Sequence, residues 1–317
     1  MLNMKYKLEA YTIYELGQRS NQEDSIFPAD GEASGDDRLF ILCDGMGGHS
    51  SGEVASAAVC EGLGRTVMSI CPDPEGEFTD EDFQKALAAA YDLLDTKDDG
   101  ATKKMGTTMT FLKLHSGGCT IAHIGDSRVY HIRPGKDKES TEILFQTVDH
   151  SLVNDLIRAG ELLPEEVKDF KQKNVITRAM QPNMDRRCKA SLHHIGDIRP
   201  GACFMLCSDG ILENMEDDNL KFIFSDACGD IAAKVDVIRN ATAGNRDNHS
   251  AIIVHILEVD GQEGGDCAPE CEGAASEGII SPSVEPSSNV SSRKILFAAL
   301  AILALIAASF AAGKLLF

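Results

Sequence analysis

Residues 39–45 read LFILCDG, an apolar run of strand-like length that ends in an aspartate and a glycine. The same arrangement recurs in residues 203–210, CFMLCSDG, and a related one in residues 121–126, IAHIGD. Short apolar runs bounded by turn residues are typical of strands buried in a sheet. The pattern predicts a carboxylate at the end of each of these strands. The three carboxylates are those of Asp44, Asp209 and Asp126.

Further acidic residues stand at comparable positions. Asp247 precedes the last apolar run, residues 251–259, and Glu23 and Asp24 follow the first, residues 6–16. Carboxylates gathered in one place repel one another, so a cation must hold them together. Oxygen ligands on rigid elements suit Mg²⁺ or Mn²⁺, and two such ions about 4 Å apart could clamp a phosphate and activate a water for attack.

Turns, calcium loops and dinucleotide loops use similar residue types. A single Asp-Gly pair is most often only a turn. Residues 44–48, DGMGG, lack the alternating acids of a calcium loop. Residues 62–64, GLG, lack the third glycine of a dinucleotide loop and fall within a helical pattern. From the acidic residues alone, a metal site and a set of ordinary turns both remain open.

The helix signals are two capping boxes. Residues 50–53, SSGE, begin an apolar helical pattern that runs through Leu63, and residues 79–82, TDED, begin another that runs through Leu94. Strand-like runs lie before, between and after them without regular alternation, which disfavours a doubly wound parallel sheet. We therefore expect an α+β fold of mixed layers. The strand-like runs are residues 6–16, 39–43, 107–114, 120–124, 129–132, 202–207 and 251–259.

The composition limits the possible partners. The chain of 317 residues has 50 acidic and 30 basic side chains and a net charge of -20, which argues against nucleic acid as a ligand. Its ten cysteines show neither CxxC pairs nor zinc spacing, and the charged residues 1–11 lack the apolar core of a signal peptide. We expect a reducing compartment and buried thiols.

An abrupt change of composition after Val259 divides the chain into a folded domain (1–259), a linker (260–292) and a C-terminal anchor (293–317). The linker has seven acidic residues and seven serines but no basic or aromatic residue, which predicts a disordered tether. Residues 295–312 are apolar except for Ser309 and would reach about 27 Å as a transmembrane helix. Because Arg293 and Lys294 precede them, we expect a single-pass membrane protein whose folded domain faces the cytoplasm.

Eight segments, in their wording and order, resemble the type 2C (PPM) metal-dependent Ser/Thr protein phosphatases, particularly the bacterial branch. The resemblance covers residues 12–257, nearly the whole expected domain, and eight motifs in order are a strong signal where one would be weak. The segments are 19–24 (RSNQED), 44–53 (DGMGGHSSGE), 106–109 (GTTM), 124–128 (IGDSR), 149–151 (DHS), 174–179 (NVITRA), 208–210 (SDG) and 244–248 (GNRDN).

The resemblance implies a central antiparallel β-sandwich flanked by helix pairs, in four α-β-β-α layers, with two Mn²⁺ or Mg²⁺ ions at one end. It implies that Asp44 bridges both ions and that the Gly45 carbonyl binds one of them. Asp209 and Asp247 would complete the ligands.

It further implies that Glu23 and Asp24 act through metal-bound water and that Asp126 helps to hold a third, weaker ion. Arg19 would bind the substrate phosphate, because its planar fork of donors suits phosphoryl oxygens.

One departure from the family concerns the general acid. Some relatives carry a histidine two residues after the bridging aspartate, where this chain has Met46. His49 is a weak substitute, since a histidine before a helix cap is more often structural, and a metal-bound water could protonate the leaving group instead. The acid therefore stays unassigned. Among the remaining candidates, we expect His150 to order a loop and Arg178 to form a salt bridge or to position a neighbour.

Residues 153–173 fit the variable flap beside the family's cleft. The expected activity is hydrolysis of phosphoserine and phosphothreonine in proteins by a water activated between the two ions, with a cognate Ser/Thr kinase as a partner. A pseudophosphatase that only binds phosphoproteins is one alternative, disfavoured because Asp44, Asp209 and Asp247 are all present. A nucleotide phosphodiesterase is another, disfavoured by the acidic domain and by an aromatic content of only 6%.

Overall fold

The computed structural model describes residues 4–47, 51–98, 100 and 104–260. Their strands are β1 Lys5–Glu15, β2 Asp24–Phe27, β3 Leu39–Met46, β4 Gly106–Thr107, β5 Met109–His115, β6 Gly118–Ile124, β7 Arg128–Arg133, β8 Glu142–Gln146, β9 Ser191–Ile195, β10 Cys203–Cys207 and β11 His249–Asp260. They form two antiparallel sheets. The first has the order β1-β11-β10-β7-β8, and the second has the order β2-β3-β5-β6-β9 with β4 paired to β3.

Helices flank both sheets. They are α1 Ser51–Ile70, α2 Asp80–Asp95, α3 Leu152–Ala159, α4 Asp209–Leu212, α5 Asp217–Phe224 and α6 Ile231–Thr242, with short 3-10 helices at Pro164–Asp169 and Asp226–Cys228. The helices α1 and α2 pack on the second sheet, whereas α5 and α6 pack on the first. The expected four layers, α-β-β-α, are therefore confirmed for the described residues.

Successive side chains of a strand point to opposite faces of the sheet, and both faces of the central strands are buried, so these strands are apolar throughout. In β3, Phe40 and Leu42 point between the sheets, while Ile41 and Cys43 point toward α1 and α2. In β10, Phe204 likewise lies between the sheets. Burial of each such side chain contributes about 1.5–3 kcal/mol, so two buried faces per strand stabilise the stack of layers and fix the register of the strands.

The two predicted helix starts differ in how far they are described. At α2 the capping box is confirmed, since Thr79 Oγ1 accepts from the Asp82 amide at 3.2 Å and the Thr79 amide donates to Asp82 at 3.1 Å. The helix α1 begins at Ser51, and Ser50 lies outside the described residues. Gly62 lies within α1, where a Cβ would come 2.7 Å from the Ala90 Cα. This glycine allows α1 and α2 to pack closely and belongs to no dinucleotide loop.

Several elements have no counterpart among the sequence predictions. The helices α5 and α6 were not located by pattern, and neither were β2, β8 and β9. The strands β8 and β9 are outer strands of their sheets and contain only partly buried and exposed residues, so they lack the apolar run by which the central strands are recognised.

The C-terminal predictions fall almost entirely outside the described residues. Asp260, expected to begin the linker, instead ends β11, where it pairs with Lys5 of β1. The rest of the linker and the anchor, residues 261–317, are not described. No helix in the described ranges has both the length and the apolar character needed to cross a membrane.

Candidate active site

The ends of β2 and β3 bring the first two aspartates together. Asp24 and Asp44 are cross-strand partners, and the Gly45 amide donates to the Glu23 carbonyl at 3.0 Å. Thr108 holds Asp44 from the other side, because its hydroxyl accepts from the Asp44 amide at 2.9 Å and its amide donates to the Asp44 carbonyl at 2.8 Å. The backbone around Asp44 is therefore fixed by both neighbouring strands.

The other sheet supplies Asp209 and Asp247. Asp209 is the first residue of α4, directly after β10, and Asp247 lies just before β11. The Ser208 hydroxyl donates to Asp24 Oδ2 at 3.1 Å, which links the two sheets at this edge. The charge of Asp209 also acts on Asp44. Carboxylates from both sheets thus meet where the sandwich ends.

Asn248 orders this edge, a function that the sequence motifs did not reveal. Its side-chain oxygen accepts from the Glu23 amide at 2.9 Å, and its side-chain nitrogen donates to the carbonyls of Leu16 and Asn21 at 2.8 and 3.0 Å. A Cβ at Gly210 would collide with the Asn248 carbonyl. The segment before β11 therefore holds the segment between β1 and β2 in place.

The aspartates differ in exposure. Asp24 is 2% exposed, whereas Asp44, Asp126 and Asp247 are partly buried and Asp209 is exposed. Loss of hydration raises the pKa of Asp24 and of Asp126 to about 7, and neighbouring carboxylates add to both shifts. The group of aspartates therefore reaches solvent at Asp209, whereas the carboxyl groups of Asp24 and Asp126 are costly to ionise.

Asp44 is affected by the charges of aspartates from both sheets. Its pKa is raised well above the ordinary value, first by loss of hydration and then by four negative charges. Asp209 also has a raised pKa, caused first by loss of hydration and then by the charge of Asp247. The four charges that act on Asp44 are those of Asp24, Asp209, Asp126 and Asp247. Asp44 is therefore the electrostatic centre of the group.

Unused ligand atoms are consistent with a cation site. Oδ1 of Asp24 and Oδ1 of Asp126 are buried and have no hydrogen-bond partner among the described residues. In the described part of the chain, no three acidic, His or Cys side chains already converge as a ready set of metal ligands. The donors are oxygens only, as Mg²⁺ and Mn²⁺ prefer, and bound cations would offset the repulsion that raises the carboxyl pKa values. The chemistry of these residues fits such ions.

Arg19 lies at the same edge but contacts a carboxylate. Its guanidinium forms an ion pair with Asp247 Oδ2 at 2.6 Å, with both side chains substantially exposed. The hydrogen bond to Asp247 is the largest cause of a raised Arg19 pKa, and the charges of Glu23 and Asp44 act in the same direction. Arg19 is thus placed beside the aspartates, where its guanidinium is the right kind of donor group for an anion.

Among the described residues, the position where some relatives carry a histidine supplies no general acid. Met46 is the last residue of β3 and pairs with Gly106 of β4. His49 lies outside the described residues. The predicted function of His150 as a loop-ordering residue is confirmed, since the Gly125 amide donates to His150 Nδ1 at 3.1 Å. Arg178 was expected to form a salt bridge or to position a neighbour; its guanidinium contacts His150, and no described carboxylate pairs with it.

Comparison with known proteins places this edge in a family context. The sequence profile of the protein phosphatase 2C family matches residues 16–236. A protein phosphatase 2C-type protein of Streptococcus pyogenes is 30% identical over 252 residues, which cover 76% of this chain and 94% of that protein.

Solved structures share the fold. The serine/threonine phosphatase PstP/Ppp of Mycobacterium tuberculosis superposes with a TM-score of 0.65 at 27% identity, covering 80% of this chain and 100% of that one. The catalytic domain of PstP in complex with two manganese ions gives a TM-score of 0.62 at 26% identity, with the same coverage. The chain therefore belongs to the protein phosphatase 2C family, the metal-dependent serine/threonine protein phosphatases that its motifs resemble.

Proposed function

We propose that this enzyme hydrolyses phosphoserine and phosphothreonine in proteins at the edge where the two sheets meet. Asp44, the Gly45 carbonyl, Asp209 and Asp247 would hold two Mn²⁺ or Mg²⁺ ions. When bound, such ions would lower the pKa of water, which supplies a nucleophile, and would offset the negative charge of the phosphate. No covalent phosphoenzyme is then needed.

The remaining residues of the site have supporting functions in this proposal. Glu23 and Asp24 would orient water around the ions, and Asp126 would contribute to a third, weaker cation position. Arg19 would exchange its contact with Asp247 for the substrate phosphate, because bound cations offset the charge of Asp247 and leave the guanidinium available for a second anion. The protonation of the leaving alkoxide is assigned to no side chain.

One observation carries the proposal: Asp44 is the cross-strand partner of Asp24, and Ser208, next to Asp209 of the other sheet, hydrogen-bonds Asp24 at 3.1 Å. A group of carboxylates that raise one another's pKa is unfavourable for stability alone, and it becomes favourable when cations bind. Arg19 lies beside these aspartates with 53% of its side chain exposed, so it presents a positive charge to an anionic substrate.

The test is hydrolysis of a phosphothreonine peptide by the full chain with Mn²⁺. We expect phosphate release that EDTA abolishes. Asp209→Asn should lower turnover by at least about 100-fold, because it removes a charged metal ligand. Asp236→Asn is a matched control, since Asp236 lies on α6 with 71% of its side chain exposed. Activity that survives EDTA, or an equal effect of the two substitutions, would contradict the proposal.

The expected anchor leads to a second part of the proposal. We infer from the sequence that residues 293–317 hold the domain 1–259 at a membrane through the linker 260–292, with the domain facing the cytoplasm and a cognate Ser/Thr kinase acting on the same proteins. Fractionation of cells that express the full chain and a version truncated after residue 259 tests this. Equal recovery of both versions in the soluble fraction would contradict it.

A further inference from the structure

A cavity of about 360 Å³ opens between β8 and β9, the outer strands of the two sheets. Phe145 of β8 and His193 of β9 stack across this opening, with ring centres 4.2 Å apart. His123 and His150 stack behind them at 4.4 Å. None of the proposed metal ligands lines this cavity, and neither does Arg19.

Hydrogen bonds at the back of the cavity fix which atoms can donate. The Gly125 amide donates to His150 Nδ1, so the neutral ring carries its proton on Nε2. That Nε2–H faces the Ser191 hydroxyl at 2.9 Å and donates to its oxygen. Burial, followed by the charge of His123, lowers the pKa of His150 to about 4, which keeps the ring neutral. The Ser191 hydroxyl proton is therefore left to donate elsewhere.

Arg178 has unused donors at the same point. Its guanidinium lies 3.4 Å from His150 Nε2, an atom that is itself a donor and cannot accept. No described carboxylate pairs with Arg178. The Thr177 amide donates to the His150 carbonyl at 2.8 Å, which holds the Arg178 backbone beside the cavity. Ser191 and Arg178 thus present donors to one region in which no described carboxylate pairs with them.

The charge of the cavity is opposite to that of the domain. Arg158 and Arg178 line it, and none of its described lining residues is acidic, although residues 1–259 carry a net charge of -16. Arg158 is paired with Asp155 at 3.0 Å outside the lining, so Arg178 supplies the uncompensated charge. A local positive region in an acidic protein selects anions.

The cavity is connected to the aspartates by one short path. His150 and Gly125 exchange two hydrogen bonds, since the His150 amide also donates to the Gly125 carbonyl at 2.9 Å. Gly125 immediately precedes Asp126. The helix α3, which begins at Leu152, forms the adjacent wall. The back of the cavity is therefore linked to Asp126 through the backbone, and a side chain near the phosphorylated residue of a bound peptide is the occupant that we consider.

We propose that this cavity binds an anionic side chain of the phosphoprotein substrate, a carboxylate or second phosphoryl group, through Arg178 and the Ser191 hydroxyl. The inference rests on the proposed function and adds to it a preference for acidic or multiply phosphorylated sequences. Charge-assisted hydrogen bonds from a guanidinium to an oxyanion are strong enough to produce such a preference.

The experiment compares three phosphothreonine peptides as substrates of the full chain with Mn²⁺. In one the phosphothreonine is flanked by alanines, in the second by glutamates and in the third by a phosphoserine. We expect the acidic peptides to have a KM about tenfold lower in the wild type. Arg178→Gln should remove that difference and leave hydrolysis of p-nitrophenyl phosphate within about twofold. Ser191→Ala should reduce the difference about threefold, because one neutral donor is lost.

Arg65→Gln is the control, because it removes one exposed positive charge on α1, where Arg65 pairs only with Glu61 among the described residues. Equal KM values for neutral and acidic peptides in the wild type would overturn the inference and leave the phosphatase proposal intact. Failure of the wild type to hydrolyse any substrate would instead overturn the proposed function. Inhibition by inorganic phosphate that Arg178→Gln relieves, without any change in peptide preference, would assign the cavity to free phosphate and overturn the substrate assignment.

Discussion

Gly45 shows at the scale of one residue how the backbone restricts the site. A Cβ at this position would collide with the carbonyl oxygens of Gly52 and Glu23. Both are backbone atoms held by neighbouring elements, so they cannot move aside as a flexible side chain would. The absence of a side chain is therefore what lets α1, β3 and the segment before β2 meet beside Asp44.

Gly45→Ala tests this restriction. We expect a loss of about 1–3 kcal/mol in the free energy of unfolding from overpacking, together with weaker Mn²⁺ binding, because the Gly45 carbonyl would be displaced. Urea unfolding and calorimetric titration with Mn²⁺ would measure the two effects. In the control Gly196→Ala, the nearest atom to the new Cβ is 3.9 Å away, so both quantities should stay near wild type. Wild-type stability and Mn²⁺ affinity in Gly45→Ala would show that the close approach is unimportant.

Single residues also show what the sequence could and could not predict about the site. Asp44 and Asp209 were identifiable because a carboxylate after an apolar strand is a local pattern. The function of Asn248 was not, because its amide joins atoms of Leu16, Asn21 and Glu23 that are distant in sequence. The contact of Arg19 with Asp247 was missed for the same reason, since more than 200 residues separate the two side chains. Long-range side-chain contacts leave no local pattern.

At the scale of elements, the limits of sequence prediction follow burial and length. The strands β3, β5, β6 and β10 are buried on both faces and were recognised as apolar runs. The helix α2 was recognised from its capping box and apolar spacing. The helix α5 has only eight residues and begins with charged side chains, so its apolar face is too short to form a clear helical period.

The capping box of α2 provides a test at this scale. The Thr79 hydroxyl donates to Asp82 Oδ2 at 2.7 Å as well as accepting from the Asp82 amide. Thr79→Ala removes both bonds, and we expect a loss of about 1 kcal/mol in unfolding free energy, measured by urea denaturation. Thr96→Ala at the other end of α2 removes one bond to the Leu93 carbonyl and should cost less. A larger loss at Thr96 would argue that the N-terminal cap does not stabilise this helix.

At the scale of the whole molecule, two sets of titrating groups oppose each other. Burial lowers the pKa of His115, His131 and His150 to about 4, and each of these residues is less than 10% exposed. Asp24 and Asp126 have their pKa raised to about 7. The histidines bind fewer protons in the folded state than in the unfolded state between pH 4 and about 6.5, whereas the aspartates bind more between about 4 and 7.

These opposite signs give a prediction that depends on metal. Each buried histidine should reduce the unfolding free energy by about 1.4 kcal/mol per pH unit as the pH falls from about 6.5 to 4, because only the unfolded state gains the proton. Without metal, the aspartates oppose this loss, because their folded form is protonated first. Bound Mn²⁺ keeps those carboxylates ionised, so they no longer offset the effect of the histidines. As the pH falls, protons also displace the ion, which lowers the unfolding free energy further. Urea unfolding from pH 7.5 to 4.5 should therefore show a steeper acid decline with saturating Mn²⁺ than with EDTA. Parallel curves would mean that the aspartates do not exchange protons for metal. His115→Gln should lower the slope of unfolding free energy against pH by about 1.4 kcal/mol per pH unit in both conditions, because one buried histidine is removed.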